Sequence, residues 1–179
     1  MSDRAAIESL FTKFGYKDFK WIDPAQIIVK QWVRMKCRFG CYNYGMQACC
    51  PPNNPSISEC REFFNEYSEG VIFHFAKALN KAEDRHAWAR EMNEGLFNLE
   101  REVFLSGYYK AFLFSVSNCR ICAKCKSDKI QCVNPLMARP SLESMGVDVF
   151  GTVRQFGFPI NVLSDYTQTM NRFALLLVE

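Results

Sequence analysis

Between Cys119 and Cys132 the chain reads Cys119-Arg-Ile-Cys122-Ala-Lys-Cys125-Lys-Ser-Asp-Lys-Ile-Gln-Cys132. Three cysteines recur at every third residue, and a fourth follows six residues later. Such a loop gathers several thiolates in a small space, which is the donor set of a polynuclear iron–sulfur cluster. The first three positions match the bacterial ferredoxin run, but that run places its fourth cysteine after three residues and a proline directly behind it. Here Pro135 lies three residues beyond Cys132. The longer excursion lets Cys132 close the same cluster, so Cys119, Cys122, Cys125 and Cys132 are the expected ligands of one [4Fe–4S] centre. The competitor is a structural zinc site with four cysteine ligands. Zinc favours two separated Cys-x2-Cys pairs, and three cysteines at this tight spacing suit a cluster better.

A second set lies nearer the amino terminus: Cys37, Cys41, Cys49, Cys50 and Cys60. Cys37-x3-Cys41 followed by Cys50-Pro51-Pro52 supplies three ligands for a second cluster, with the prolines restricting the backbone behind the cysteine. Cys60 is the expected fourth, in the first turn of a helix whose unpaired N–H groups favour a thiolate. Side chains at Cys49 and Cys50 diverge in an extended loop, so only one faces this cluster, and Cys50 is the choice. Cys49 then reads as a buried thiol.

Composition bounds the setting. The 179 residues suffice for one domain with a real core, and 49% hydrophobic with 23% charged residues is ordinary for a globular protein. Nine cysteines, an odd number, fit a disulfide framework poorly. The first residues lack the basic and apolar regions of a signal peptide, and no apolar run is long enough to span a membrane. A reducing, low-oxygen cytoplasm is the expected compartment. Net charge is only +3 and no nucleic-acid module is recognisable, so neither nucleic acid nor membrane is an expected partner. Arg34, Lys36 and Arg38 flank the first set, and Arg120, Lys124, Lys126 and Lys129 the second. Positive charge beside an anionic cluster raises its reduction potential. It also steers an acidic redox partner such as a ferredoxin or flavodoxin-like protein.

The rest of the chain supplies a scaffold. Asp3 caps a helix over residues 3–15 that ends at Gly15. Ile27 to Val29 and Trp32-Val33 suggest one or two short strands entering an irregular loop at Cys37. Ser56-Ile-Ser-Glu59 is a capping box for a helix over about 57–67. Val71 to Ala76 reads as a strand containing His74, a histidine better suited to a satisfied core position than to a metal ligand. Trp88, Met92, Leu96, Leu99 and Val103 form one apolar stripe on a long helix over 81–106. Tyr108 to Val116 is a second strand, so strand, helix and strand make a crossover that delivers the chain directly into Cys119. Short helical turns follow Ser141 and Asp148. Residues 158–163 form a strand or irregular edge, and Phe173 to Val178 a buried final strand. The expected fold is α/β or α+β: residues 1–179 as a single domain, a small mixed sheet flanked by helices, with cysteine-rich loops at its margin.

Several motifs in combination resemble a known family of cysteine-rich prokaryotic proteins described as predicted metal-binding proteins with a domain of unknown function. They are Lys36-Cys37 through Cys41-Tyr-Asn-Tyr-Gly, Cys49-Cys50-Pro51-Pro52-Asn, and Glu59-Cys60-Arg61-Glu62. Further on come the Cys119–Cys132 set and Arg139-Pro140-Ser141-Leu142-Glu143-Ser144-Met145-Gly146-Val147-Asp148-Val149. The similarity runs from about residue 25 to the end. It implies metal binding, iron–sulfur by character, in a prokaryotic cytoplasm, and it implies no reaction. Many relatives have Cys-Arg-x-Pro where this chain has Cys132-Val133-Asn134-Pro135, so a role for that arginine does not carry over.

Three functions of different class follow. One is an electron-transfer protein with two [4Fe–4S] clusters and all eight cysteines, Cys37, Cys41, Cys50, Cys60, Cys119, Cys122, Cys125 and Cys132, as ligands. Another is an enzyme in which Cys60 does not ligate and one iron stays open as a Lewis acid or sulfur carrier. A zinc-stabilised binding module is the third possibility. Glycine-rich nucleotide loops, Ser–His–Asp patterns and HExxH motifs do not occur.

Overall fold

Pairing through the last strand decides the architecture. The computed structural model describes residues 2–165 and 167–179. In it, β4 (Met170–Leu177) lies between β2 (Gly70–Lys77) and β3 (Phe112–Phe114), with β1 (Phe19–Ile22) on the far side of β2. Phe73 faces Ala174 across β2 and β4, and Phe114 faces Leu175 across β3 and β4. The strand–helix–strand unit is therefore present, with α4 (Asp84–Leu105) as its helix, but β4 is inserted between its two strands. Within the sheet every strand pair is antiparallel, where a mixed sheet was expected, because β2 and β3 never touch.

Alternation along the strands sends side chains to two cores. Val71, Phe73, Leu113, Ala174 and Leu176 pack under α1 (Arg4–Lys13) and the stripe of α4 that includes Met92, Leu96, Leu99 and Val103. Ile72, Phe114, Phe173, Leu175 and Leu177 pack the other way. They meet α3 (Ile57–Asn65), α5 (Val149–Gln155) and the segment around Leu142, Met145 and Val147. Helix starts are as the sequence indicates. Asp3 accepts from Ala6, Ser56 and Glu59 form a full capping box, and Asp148 accepts from Gly151.

Two local expectations change. Residues 27–33 contribute no strand to the sheet: the backbone of Ile28 donates to the Thr152 hydroxyl, Val29 makes one isolated bridge to Val147, and Lys30 donates to Gly146. The chain then enters α2 (Gln31–Gly40), so Cys37 sits on a helix and not in an irregular loop. The helix was hard to read because Val33 alone is buried while Trp32, Met35 and Phe39 are exposed. The second strand also stops early. Ser115 donates to Pro140 and Val116 to the Asn93 side chain, so both leave the ladder. Residues 158–163 form no strand, the irregular alternative.

Gly146 holds the junction between α2 and α3. Its φ is +80°, and a Cβ there would stand 2.3 Å from Ile57 Cδ1, so any side chain is excluded twice over.

Candidate metal centre

The loop carrying Cys119 to Cys132 is closed at its base. Ser115 bridges Ser141 where the loop leaves and returns, and Arg139 reaches the buried Glu100 of α4 with Nε 2.8 and 2.9 Å from the two carboxylate oxygens. Glu100 also accepts from the Leu113 N–H at 2.9 Å, satisfying the outer edge of β3. A carboxylate only 3% exposed requires such a cation. The Arg139-Pro140-Ser141 motif is thus the clasp of the loop.

Cys119, Cys122, Cys125 and Cys132 converge on a narrow cavity of about 20 Å³. Cys49 lines it too, although the sequence reading left that residue out. Sulfur atoms here receive N–H donors. Ala48 N lies 3.3 Å from Cys125 Sγ, and Asn134 Nδ2 lies 3.0 Å from Cys122 Sγ. The Cys49 thiol donates to Cys119, and with backbone N–H groups of Ile121 and Arg139 this outweighs burial and lowers the Cys119 thiol to about 6. The same hydrogen bond, with burial, pushes Cys49 up. The Cys49 signal was present in the sequence as its adjacency to Cys50: diverging neighbours serve two places rather than one.

Cys50 turns the other way. With Cys37 and Cys41 it lines a separate cavity of about 260 Å³, walled also by Ser117, Ser141, Glu143 and Arg172. Cys37 near the end of α2 and Cys41 just beyond it are four residues apart and so reach the same side. Burial raises the Cys50 thiol to about 12, with neighbouring cysteines adding to the effect. Burial raises Cys37 as well, assisted by Cys41 and Glu143. Cys60 is not brought to this cavity. Its side chain is fully buried in the core beneath α3, 3.7 Å from the Pro55 carbonyl.

The two loops are stitched together. Asn53 Nδ2 donates to Ser127 O at 2.9 Å, and Ser127 Oγ donates to Met46 O at 2.9 Å. Ser127 holds φ at +61°, uncommon for a residue with a side chain.

Other candidates are accounted for. His74 Nδ1 lies 2.6 Å from Asp18 Oδ2 and Nε2 lies 2.8 Å from Asn171 Oδ1, so both nitrogens are occupied. Arg34 donates to the carbonyls of Pro55 and Ser144 and is structural. Lys36, Arg38, Lys124, Lys126 and Lys129 are exposed.

Among the described residues, no group of three or more His, Cys, Asp or Glu side chains is arranged around a single metal-ion position. Apart from Cys60, the cysteines instead gather at two cavities, and the donors offered are sulfur, with N–H groups directed at sulfur. That chemistry fits soft metals and iron–sulfur clusters. No helix among the described residues is long and apolar enough to cross a membrane.

No curated protein and no solved structure matches the chain. Residues 20–178 match the family model described as "Predicted metal-binding protein (DUF2284)". The motifs this match covers are the ones that build the two cavities and clasp the loop between them, and the chain belongs to this family of predicted metal-binding proteins.

Proposed function

We propose that the chain is a cytoplasmic iron–sulfur protein with two cluster sites that exchanges electrons with a protein partner. One observation carries the reading. Apart from Cys60, the cysteines divide into two groups on two cavities, and the adjacent residues Cys49 and Cys50 belong one to each. Consecutive Cα atoms are about 3.8 Å apart, so the two centres are immediate neighbours, as electron passage between them requires. Cys119, Cys122, Cys125 and Cys132 would hold one [4Fe–4S] cluster, and Cys37, Cys41 and Cys50 the other. N–H donors to sulfur and nearby cations favour the reduced state. The exposed Lys36, Arg38, Lys124, Lys126 and Lys129 favour an acidic partner, a ferredoxin or flavodoxin-like protein.

The position of Cys60 favours a second reading for the first centre. With three cysteines on the cavity, a cubane there keeps one iron without a protein ligand, and such an iron supplies Lewis-acid chemistry. The residues that would orient a substrate beside it are Glu143 and Arg172, which share the cavity wall with Cys37 and Cys41.

Anaerobic isolation tests the proposal. The expected product is brown, absorbs broadly near roughly 400 nm, bleaches with dithionite and recovers on oxidation without losing iron. A colourless protein holding only zinc overturns it.

A further inference from the structure

A cavity of about 610 Å³ adjoins the three-cysteine site. Its size is that of a small-molecule site, about 300–1,000 Å³. Cys37, Cys41, Val116, Glu143 and Arg172 line both this cavity and the smaller one, so the two share a wall. The remaining surface is chiefly hydrocarbon, with Trp32, Val149, Phe150, Ile160 and Phe173 upon it.

The polar groups on the wall are not equivalent. Asp148 is engaged as the cap of α5, with Oδ1 3.0 Å from Gly151 N, and Asn171 Oδ1 is held by His74. Asn161 is on the wall as well, and so is one carboxylate, Glu143, whose charge acts on Arg172 without forming an ion pair with it; the cations are Lys36 and Arg172. Lys36 is exposed and lies over the Trp32 ring. Arg172 makes two long contacts, Nη1 to Val116 O at 3.3 Å and Nη2 to Arg85 O at 3.5 Å. Its Nε is buried with no hydrogen-bond partner, and Arg172 forms no ion pair among the described residues. A buried, unpaired guanidinium N–H is costly, and an anionic oxygen is the partner that removes the cost.

We infer that this cavity binds a small organic carboxylate, with the carboxylate at Arg172 and Lys36 and the hydrocarbon body against Trp32, Phe150, Ile160 and Phe173. The cavity is formed by protein atoms alone, so the inference goes beyond the electron-transfer reading and does not depend on it.

Calorimetric titration of the anaerobically isolated full chain with hexanoate and with hexanamide tests it. Hexanoate saturates a single site, and hexanamide, equal in shape but uncharged, binds about 10-fold more weakly or worse. Arg172→Gln weakens hexanoate by a similar factor and leaves hexanamide unchanged. Lys36→Gln, an exposed change that spares folding, weakens hexanoate by a smaller factor. Val149→Trp fills the cavity and abolishes binding of both, and it decides the matter if Arg172→Gln does not fold. Equal binding of acid and amide, hexanoate binding that survives Val149→Trp, or no binding of hexanoate to the unaltered chain overturns the inference.

Discussion

The two cysteine groups are built in opposite ways. The group at Cys119 to Cys132 occupies one loop, clasped at its base, around a cavity of about 20 Å³, and it gains a fifth thiol from Cys49. The group at Cys37, Cys41 and Cys50 takes residues from a helix end and a separate loop around about 260 Å³, and it opens toward the larger cavity of about 610 Å³. The surplus of thiols in the first describes an enclosed site, which the proposed reading assigns to holding a cluster. The shortage in the second describes a centre with room for something that is not protein.

The largest test of this contrast is to disable the enclosed centre. Because Cys49 offers a spare thiol, two ligands are removed together. Cys122→Ala with Cys125→Ala is expected to lose about half the bound iron, about four atoms per chain, while the Cys37 group keeps its share. Iron analysis of the anaerobic protein checks this, and complete loss would mean that the two centres assemble as one.

The clasp comes next. Arg139→Met leaves the Glu100 carboxylate buried without its cation, and a loss of about 3–5 kcal/mol is expected from urea denaturation. The loop carrying Cys119 to Cys132 loosens as a consequence, so iron is also released faster from that centre than from the other.

Cys60 sharpens the contrast by doing little. Cys60→Ala is expected to keep the iron content of the unaltered chain while destabilising the core by about 1–2 kcal/mol. A fall in iron by half would restore Cys60 as a ligand and make the two centres alike.

Acid–base behaviour gives the smallest effect. In metal-free protein Cys119, lowered to about 6 by the Cys49 hydrogen bond, is a thiolate at pH 7, while Cys50, raised to about 12 by burial, is a thiol. Iodoacetamide therefore labels Cys119 first, and its labelling rate falls as the pH drops through about 6. Removing the donor in Cys49→Ala moves that dependence upward, so labelling at pH 7 slows, which peptide mass spectrometry detects.

Much of this was legible from local signals. Asp3, Ser56-x-x-Glu59 and Asp148 announced their helices because caps are written in adjacent residues. The stripe of α4 and the apolar run of β4 announced the core. The insertion of β4 between β2 and β3 was not legible, since strand order depends on partners far apart in sequence. Nor was α2, whose exposed Trp32, Met35 and Phe39 blur the amphipathic pattern. At the site, spacing alone grouped Cys119, Cys122, Cys125 and Cys132, because the whole set lies within one loop. Spacing could not place Cys49 and Cys60, for one reason: the direction of a side chain depends on packing. The face of α3 that carries Ile57, Cys60 and Phe64 is turned to the core, so the thiol goes with it. Arg172 gave no signal at all, being a lone arginine near the start of β4.

The central claim is that four cysteines within one loop, and three more at a helix end and in a second loop, make two distinct iron–sulfur centres. Iron and acid-labile sulfide, measured together on the unaltered chain isolated without oxygen, test it most directly. About eight of each per chain is the predicted result. Zinc with no sulfide, or iron and sulfide sufficient for a single cluster only, would contradict it.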